Sequence, residues 1–176
     1  MNRIISVIVN NKAGVLNRMT ALFMRKGFNI QNLTVGTTET PGLSRMTIVM
    51  SDTDETALEQ VMKQLYKQID VLKVTDLTDQ PMVARELALI QVNSPLQQRA
   101  TISSLIEPFR ASIIDVGRDT ITIQVTGKAD KVEALIALLR PYGIKELART
   151  GLTALPRDAT AVSEGKRSTE GQILSI

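Results

Sequence analysis

Ile5-Ser6-Val7-Ile8-Val9, then Asn10-Asn11-Lys12-Ala13-Gly14, then Val15-Leu16 opening a segment that closes on Gly27-Phe28-Asn29-Ile30: this stretch sets the pattern that the rest of the chain repeats. The β-branched residues of 5–9 fall on both parities, which suits a central strand covered on at least one face. From Val15 the apolar positions Val15, Leu16, Met19, Leu22 and Phe23 follow one face of a helix, with Arg18 and Arg25 off the stripe and Gly27 as the stop. Gly14 lies where strand hands over to helix, and a residue without a Cβ lets another group come close to the backbone. The N–H groups of Val15 and Leu16, at the positive end of the helix, then face outward and suit a carboxylate or phosphate. Asn11 and Asn29, read as neighbours at the loop mouth, each carry donor and acceptor atoms that match the two charged ends of a free amino acid. A structural account fits the same spacing: Gly14 relaxes a tight turn and Asn11 caps the helix.

Beyond Asn29 the pattern becomes strand-like at Leu33 and Val35, while Ile30 has the other parity. A bulge near Gln31-Asn32 accounts for the slip. Thr40-Pro41-Gly42 makes a turn, and Met46, Ile48 and Met50 alternate against Arg45, Thr47 and Val49, completing a hairpin. Acids at Asp52, Asp54 and Glu55 precede a second helical stripe of Leu58, Val61, Met62, Leu65 and Ile69, with Glu59 and Lys63 as an i, i+4 pair. Val71 to Leu77 gives a fourth strand. Strand, helix, strand, strand, helix, strand is the split βαβ, or ferredoxin-like, order.

The order then begins again after Thr78-Asp79-Gln80-Pro81. Glu86 to Asn93 reads as a strand, and Ile102, Leu105, Ile106 and Phe109 as a helix in which Pro108 predicts a kink or an early end. Ile113–Val116 and Thr120–Thr126 form a hairpin. Val132, Leu135, Ile136 and Leu139 mark a last helix, stopped by Pro141-Tyr142-Gly143, and Ile144 to Leu152 closes the unit. The fold class is therefore α+β, two tandem ferredoxin-like βαββαβ units: 1–78, a linker at 79–84, and 85–155. Residues 156–176 carry no period and predict a disordered tail.

Composition removes several chemistries. With no cysteine and no histidine among 176 residues, disulfides, thiolate or imidazole metal ligands and a serine triad are excluded. The acids of 52–59 are accounted for by helix capping and a solvated face, so no catalytic residue and no metal site is assigned. The formal charge of +3 is scattered rather than patched, and the central strands lack the aromatic side chains on which bases stack, so nucleic acid is not expected. Neither a G-x-G-x-x-G after a strand nor a phosphate-binding P-loop is present. No apolar stretch reaches the roughly 18 residues of a membrane span, and the N-terminus enters a strand rather than a leader. The expectation is a soluble cytoplasmic protein without membrane contact.

Asn11-Lys12-Ala13-Gly14-Val15-Leu16, with Gly27-Phe28-Asn29-Ile30 after the helix, resembles the amino-acid-sensing ACT domain, itself a ferredoxin-like unit. Leu33-Thr34-Val35, the run Pro41 to Ile48, and Phe109-Arg110-Ala111 leading into Ile113-Ile114-Asp115-Val116 narrow the resemblance to the regulatory, or small, subunits of acetohydroxyacid (acetolactate) synthase. It covers about residues 1 to 155.

That resemblance implies a noncatalytic subunit that binds the catalytic (large) subunit of branched-chain amino-acid biosynthesis, activates it and confers feedback inhibition by valine. Thiamine diphosphate, Mg and FAD would belong to the catalytic partner, and this chain would bind no cofactor. It also implies a homodimer through the ACT unit, with the effector at the interface between the Gly14 loop of one chain and the Asn29 region of the other. Carried over by position, Asn11, Ala13, Gly14, Val15, Leu16, Asn29 and Ile30 would form the effector site. The backbone of Gly14, Val15 and Leu16 would take the carboxylate, and Ile30 would line the aliphatic end. A stand-alone ACT-type sensor or regulator without an enzyme partner is the alternative.

Overall fold

A computed structural model describes residues 2–51 and 53–157. The first unit runs β1 (Arg3–Asn10), α1 (Val15–Arg25), β2 (Ile30–Thr37), β3 (Leu43–Met50), α2 (Glu55–Tyr66) and β4 (Val71–Asp76), with an antiparallel sheet ordered β2-β3-β1-β4. Alternation sorts its faces. Ile5, Val7 and Val9 pair in register with Ile48, Met46 and Ser44. This face packs against Val15, Met19, Leu22 and Phe23 of α1 and Leu58, Val61 and Leu65 of α2. The expected bulge is present, as a register shift between Ile30 and Asn32 where β2 meets β3. Asp54 caps α2 by accepting the Ala57 N–H at 2.7 Å, and Lys63 meets Glu59 at 3.2 Å.

The second unit repeats the order with β5 (Met82–Asn93), α3 (Arg99–Ile106), β6 (Ser112–Val116), β7 (Thr120–Gly127), α4 (Ala129–Leu139) and β8 (Ile144–Arg149). Its core gathers Ala88, Ile90 and Val92, Ile121, Ile123 and Val125, and the faces of α3 and α4. As Pro108 predicts, α3 stops early: a 3-10 turn over Glu107–Phe109 follows, and Arg110 leaves it with φ 50.

Five expectations need correction. Ile69 is not on the α2 stripe, because the helix ends at Tyr66 and Ile69 is 92% exposed in the following turn. The 79–84 linker is shorter, since Met82–Ala84 already belong to β5. The last strand of the second unit ends at Arg149, not Leu152, and Gly151 turns the chain with φ 79. Thr153–Pro156 then forms β9, a strand the periodicity did not announce, paired with Met82–Arg85. Of the tail expected to be disordered over 156–176, Pro156 belongs to β9 and Arg157 N–H donates to Pro81 O at 2.8 Å, so neither is disordered; residues 158–176 lie outside the described residues.

The β5–β9 ribbon explains why β1 has apolar residues on both parities. On the sheet face opposite the helices, Ser6 pairs with Thr47 and Ile4 with Val49, and Ser6 and Thr47 are 2% and 1% exposed. Thr34 donates its hydroxyl to Leu152 O at 3.0 Å, Leu152 N–H donates to Asn32 Oδ1 at 3.0 Å, and Ala154 N–H reaches Thr47 Oγ1 at 3.5 Å. The second unit thus roofs the first through its own last residues.

Candidate functional site

The β1–α1 loop is held from two sides. Asn11 N–H donates to Gly42 O at 2.8 Å, and Asn10 N–H to Asp70 O at 2.9 Å. Asp70 also receives Arg18 Nη2 at 2.5 Å and Asn10 Nδ2 at 3.5 Å. The hydrogen bond from the Arg18 guanidinium holds the Asp70 carboxyl below its ordinary range; partial burial opposes this, while Asn10 and the Lys12 charge add to it. The loop is therefore tied within the chain to the turn before β3 and the turn before β4.

Gly14 precedes α1 with φ 83 and ψ −10, and no side chain caps the helix there. A Cβ at Gly14 would meet only Arg18 Nη1, at 3.2 Å. The glycine is required by its left-handed backbone, where a side chain is strained, more than by crowding. Val15 N–H is partly used, by a long 3.3 Å bond to Lys12 O. Among the described residues, the N–H groups of Leu16 and Asn17 have no acceptor. The outward-facing donor pair is thus displaced by one residue from the expected Val15 and Leu16. Asn11, Ala13 and Gly14 are exposed beside them, and Leu16 is 44% exposed. Free N–H groups at a helix start, beside a residue without a Cβ and an exposed amide, are donors of the kind from which a carboxylate can accept.

Asn29 is elsewhere. It precedes β2, and its Nδ2 donates to Ser51 Oγ at 3.2 Å, next to the Arg3–Met50 end of the sheet; Asn11 sits beyond the opposite, Asn10–Leu43 end. Strand rise over β1 separates these ends by about 23 Å. The reading of both asparagines at one loop mouth is therefore wrong within a chain: β1 runs up, α1 runs back down, and Asn29 lies at the foot of the helix. Ile30 is half-buried there and pairs with Met50.

Leu16 and Thr20 of α1 lie beside Ile30 and Leu33 of β2, with no room for a water between them. Among the described residues β2 pairs only with β3, which leaves its outer edge unpaired. Arg18 and Asp70, 52 positions apart, escaped sequence reasoning because a lone arginine off a helix stripe and a lone aspartate in a turn carry no pattern. Among the described residues no helix is long and apolar enough to cross a membrane.

A ferredoxin-like unit with a glycine at its β1–α1 corner, followed by a second such unit, defines a class: an ACT-type protein with an added C-terminal ferredoxin-like domain. Residues 5–73 match the family model for the AHAS small subunit-like ACT domain, and residues 85–158 match the model for the small subunit of acetolactate synthase. The chain belongs to the acetolactate synthase small subunit family. It is 59% identical over 157 residues to the acetolactate synthase small subunit of Bacillus subtilis, covering 89% of this chain and 91% of the relative. A probable acetolactate synthase small subunit of Archaeoglobus fulgidus is 54% identical, covering 89% of this chain and 98% of that one. The crystal structure of the Thermotoga maritima small subunit matches with TM-score 0.83 at 43% identity, covering 89% of this chain and 98% of that one.

Proposed function

We propose that this chain is the regulatory subunit of acetohydroxyacid (acetolactate) synthase, a cytoplasmic, noncatalytic protein that binds and activates the catalytic subunit and makes it sensitive to valine. Its effector lies between two ACT units of a homodimer. The Gly14 loop of one chain, with Asn11, Ala13, Val15 and the free N–H groups of Leu16 and Asn17, takes the carboxylate, and Asn29 and Ile30 of the other take the ammonium and the aliphatic end. Thiamine diphosphate, Mg and FAD belong to the catalytic partner.

The observation that carries this reading is the separation of the two half-sites within one chain. Each end of α1 offers polar groups for one end of a zwitterion, and about 23 Å keeps them from sharing a small ligand unless a second copy supplies the missing half. The edge of β2, unpaired among the described residues, gives that copy a place to pair. Burying a small aliphatic side chain contributes only about 1.5–3 kcal/mol. Recognition therefore depends on meeting both charges, and a ligand shared between chains shifts their packing by no more than its differential affinity.

Calorimetry with valine on the chain alone, paired with inhibition assays on the reconstituted holoenzyme, tests it. The expected result is saturable binding with one ligand per interface half-pair and valine-dependent inhibition. A chain that binds no branched-chain amino acid refutes the effector reading. One that binds valine yet recovers no thiamine-dependent enzyme from native cells supports the stand-alone sensor instead.

A further inference from the structure

Four cationic side chains from separate segments of the second unit converge on one groove. Arg85 comes from β5, Arg110 from the corner between α3 and β6, and Lys128 and Lys131 from the junction of β7 and α4. The groove is broad and open to solvent, with a volume of about 520 Å³, within the roughly 300–1,000 Å³ of small-molecule sites. Among the described residues the lining sets four cations against one acid, Asp130, whose Oδ1 accepts the Lys131 backbone N–H at 2.8 Å, so the groove stays net positive. Elsewhere Arg3, Arg18, Lys63 and Arg149 each lie against a carboxylate. Among the described residues, Arg85, Arg110 and Lys128 lie in no ion pair.

Two of the cations are steered by the backbone. Arg85 Nη1 donates to Ala84 O at 2.7 Å and Lys131 Nζ to Thr126 O at 2.9 Å, each leaving further N–H donors for a ligand. Arg110 stands where, among the described residues, the only non-glycine positive φ occurs, a backbone conformation that side chains adopt at a cost. Four like charges gathered around a single acid repel one another, and an anion between them relieves that repulsion. Guanidinium and ammonium groups together fit phosphoryl oxygens. No aromatic side chain lines the groove to stack a base.

We propose that this groove binds a small, multiply charged oxyanion of the diphosphate class through Arg85, Arg110, Lys128 and Lys131. The site is separate from the Gly14 loop and belongs to the second unit alone.

Titrating the full chain with inorganic pyrophosphate by calorimetry, at ionic strength held constant with potassium chloride, tests this. Saturable binding is expected, weakened about tenfold or more by Arg110→Gln and by Lys128→Gln. Lys63→Gln, on α2 of the first unit, leaves it unchanged. Circular dichroism melts report whether each variant folds; if the strained corner makes Arg110→Gln unfold, Lys128→Gln carries the test. Absence of saturable binding by the unmodified chain overturns the proposal. So does undiminished affinity in folded Lys128→Gln, or equal weakening by Lys63→Gln, which would signify diffuse charge rather than a site.

Discussion

Replacing Gly151 by alanine breaks the joint between the two units from a single atom. Gly151 has φ 79, and a Cβ there would overlap the Asn32 side-chain amide, closer than any atoms approach without one moving. The backbone strain alone costs about 1–2 kcal/mol. Moving Asn32 aside also loses the Leu152 N–H bond to Asn32 Oδ1 and disturbs the Thr34 bond to Leu152 O, both 3.0 Å. At roughly 0.5–1.5 kcal/mol per hydrogen bond, Gly151→Ala should destabilise the chain by about 2–5 kcal/mol. Asn32→Ala alone costs less, and in the double variant the overlap is gone, so the two losses should fall short of additivity by about 0.5–3 kcal/mol. Urea unfolding followed by tyrosine fluorescence reads this out, since tryptophan is absent and the two tyrosines, Tyr66 and Tyr142, report one unit each. A Gly151→Ala chain within about 0.5 kcal/mol of the unmodified one, or strict additivity in the double variant, refutes the reasoning.

Gly14→Asp adds a side chain to a left-handed position and a negative charge beside the free N–H groups of Leu16 and Asn17, so reconstituted holoenzyme should lose valine inhibition while circular dichroism shows the fold intact. Asn29→His, at the exposed foot of α1, should weaken valine binding in calorimetry by about tenfold, the worth of one hydrogen bond to a charged group, with little change in melting temperature. Asp70 has a carboxyl held low by Arg18, so it favours the folded state above its ordinary value near 4, and that contribution fades as pH falls through the lower folded value. Melting temperatures against pH should therefore show the unmodified chain ahead of Asp70→Asn near neutrality, with the gap closing in acid; a gap independent of pH would remove the ion pair as its cause.

What was legible in the sequence was local. Pro108 ended α3 because a proline ring conflicts with its own helix, and Asp54 capped α2 through a bond three residues long. The Gln31-Asn32 bulge showed as a parity slip within one strand. Ile69 misled because it keeps the helical period from Leu65 although the chain has already left the helix to place Asp70 against the β1–α1 loop. β9 was silent for another reason: four residues ending in proline carry too little alternation, and their partner strand begins some seventy residues earlier. The site divided the same way. The glycine corner was visible from its neighbours, whereas placing Asn29 required knowing which way α1 runs across the sheet.

The roof over the first unit's sheet is fastened mainly by hydroxyl and amide groups, Asn32, Thr34 and Thr47 with the backbone of 152–154. Groups of that kind exchange a protein acceptor for water at small net cost, so the hydrogen bonds alone hold the seam weakly, and what resists its parting is the buried apolar surface of Val49 and Ala154. The strand that bears those groups, β2, starts one residue after Asn29. A molecule gripping the foot of the first helix would tug the seam directly, with no relay through either core.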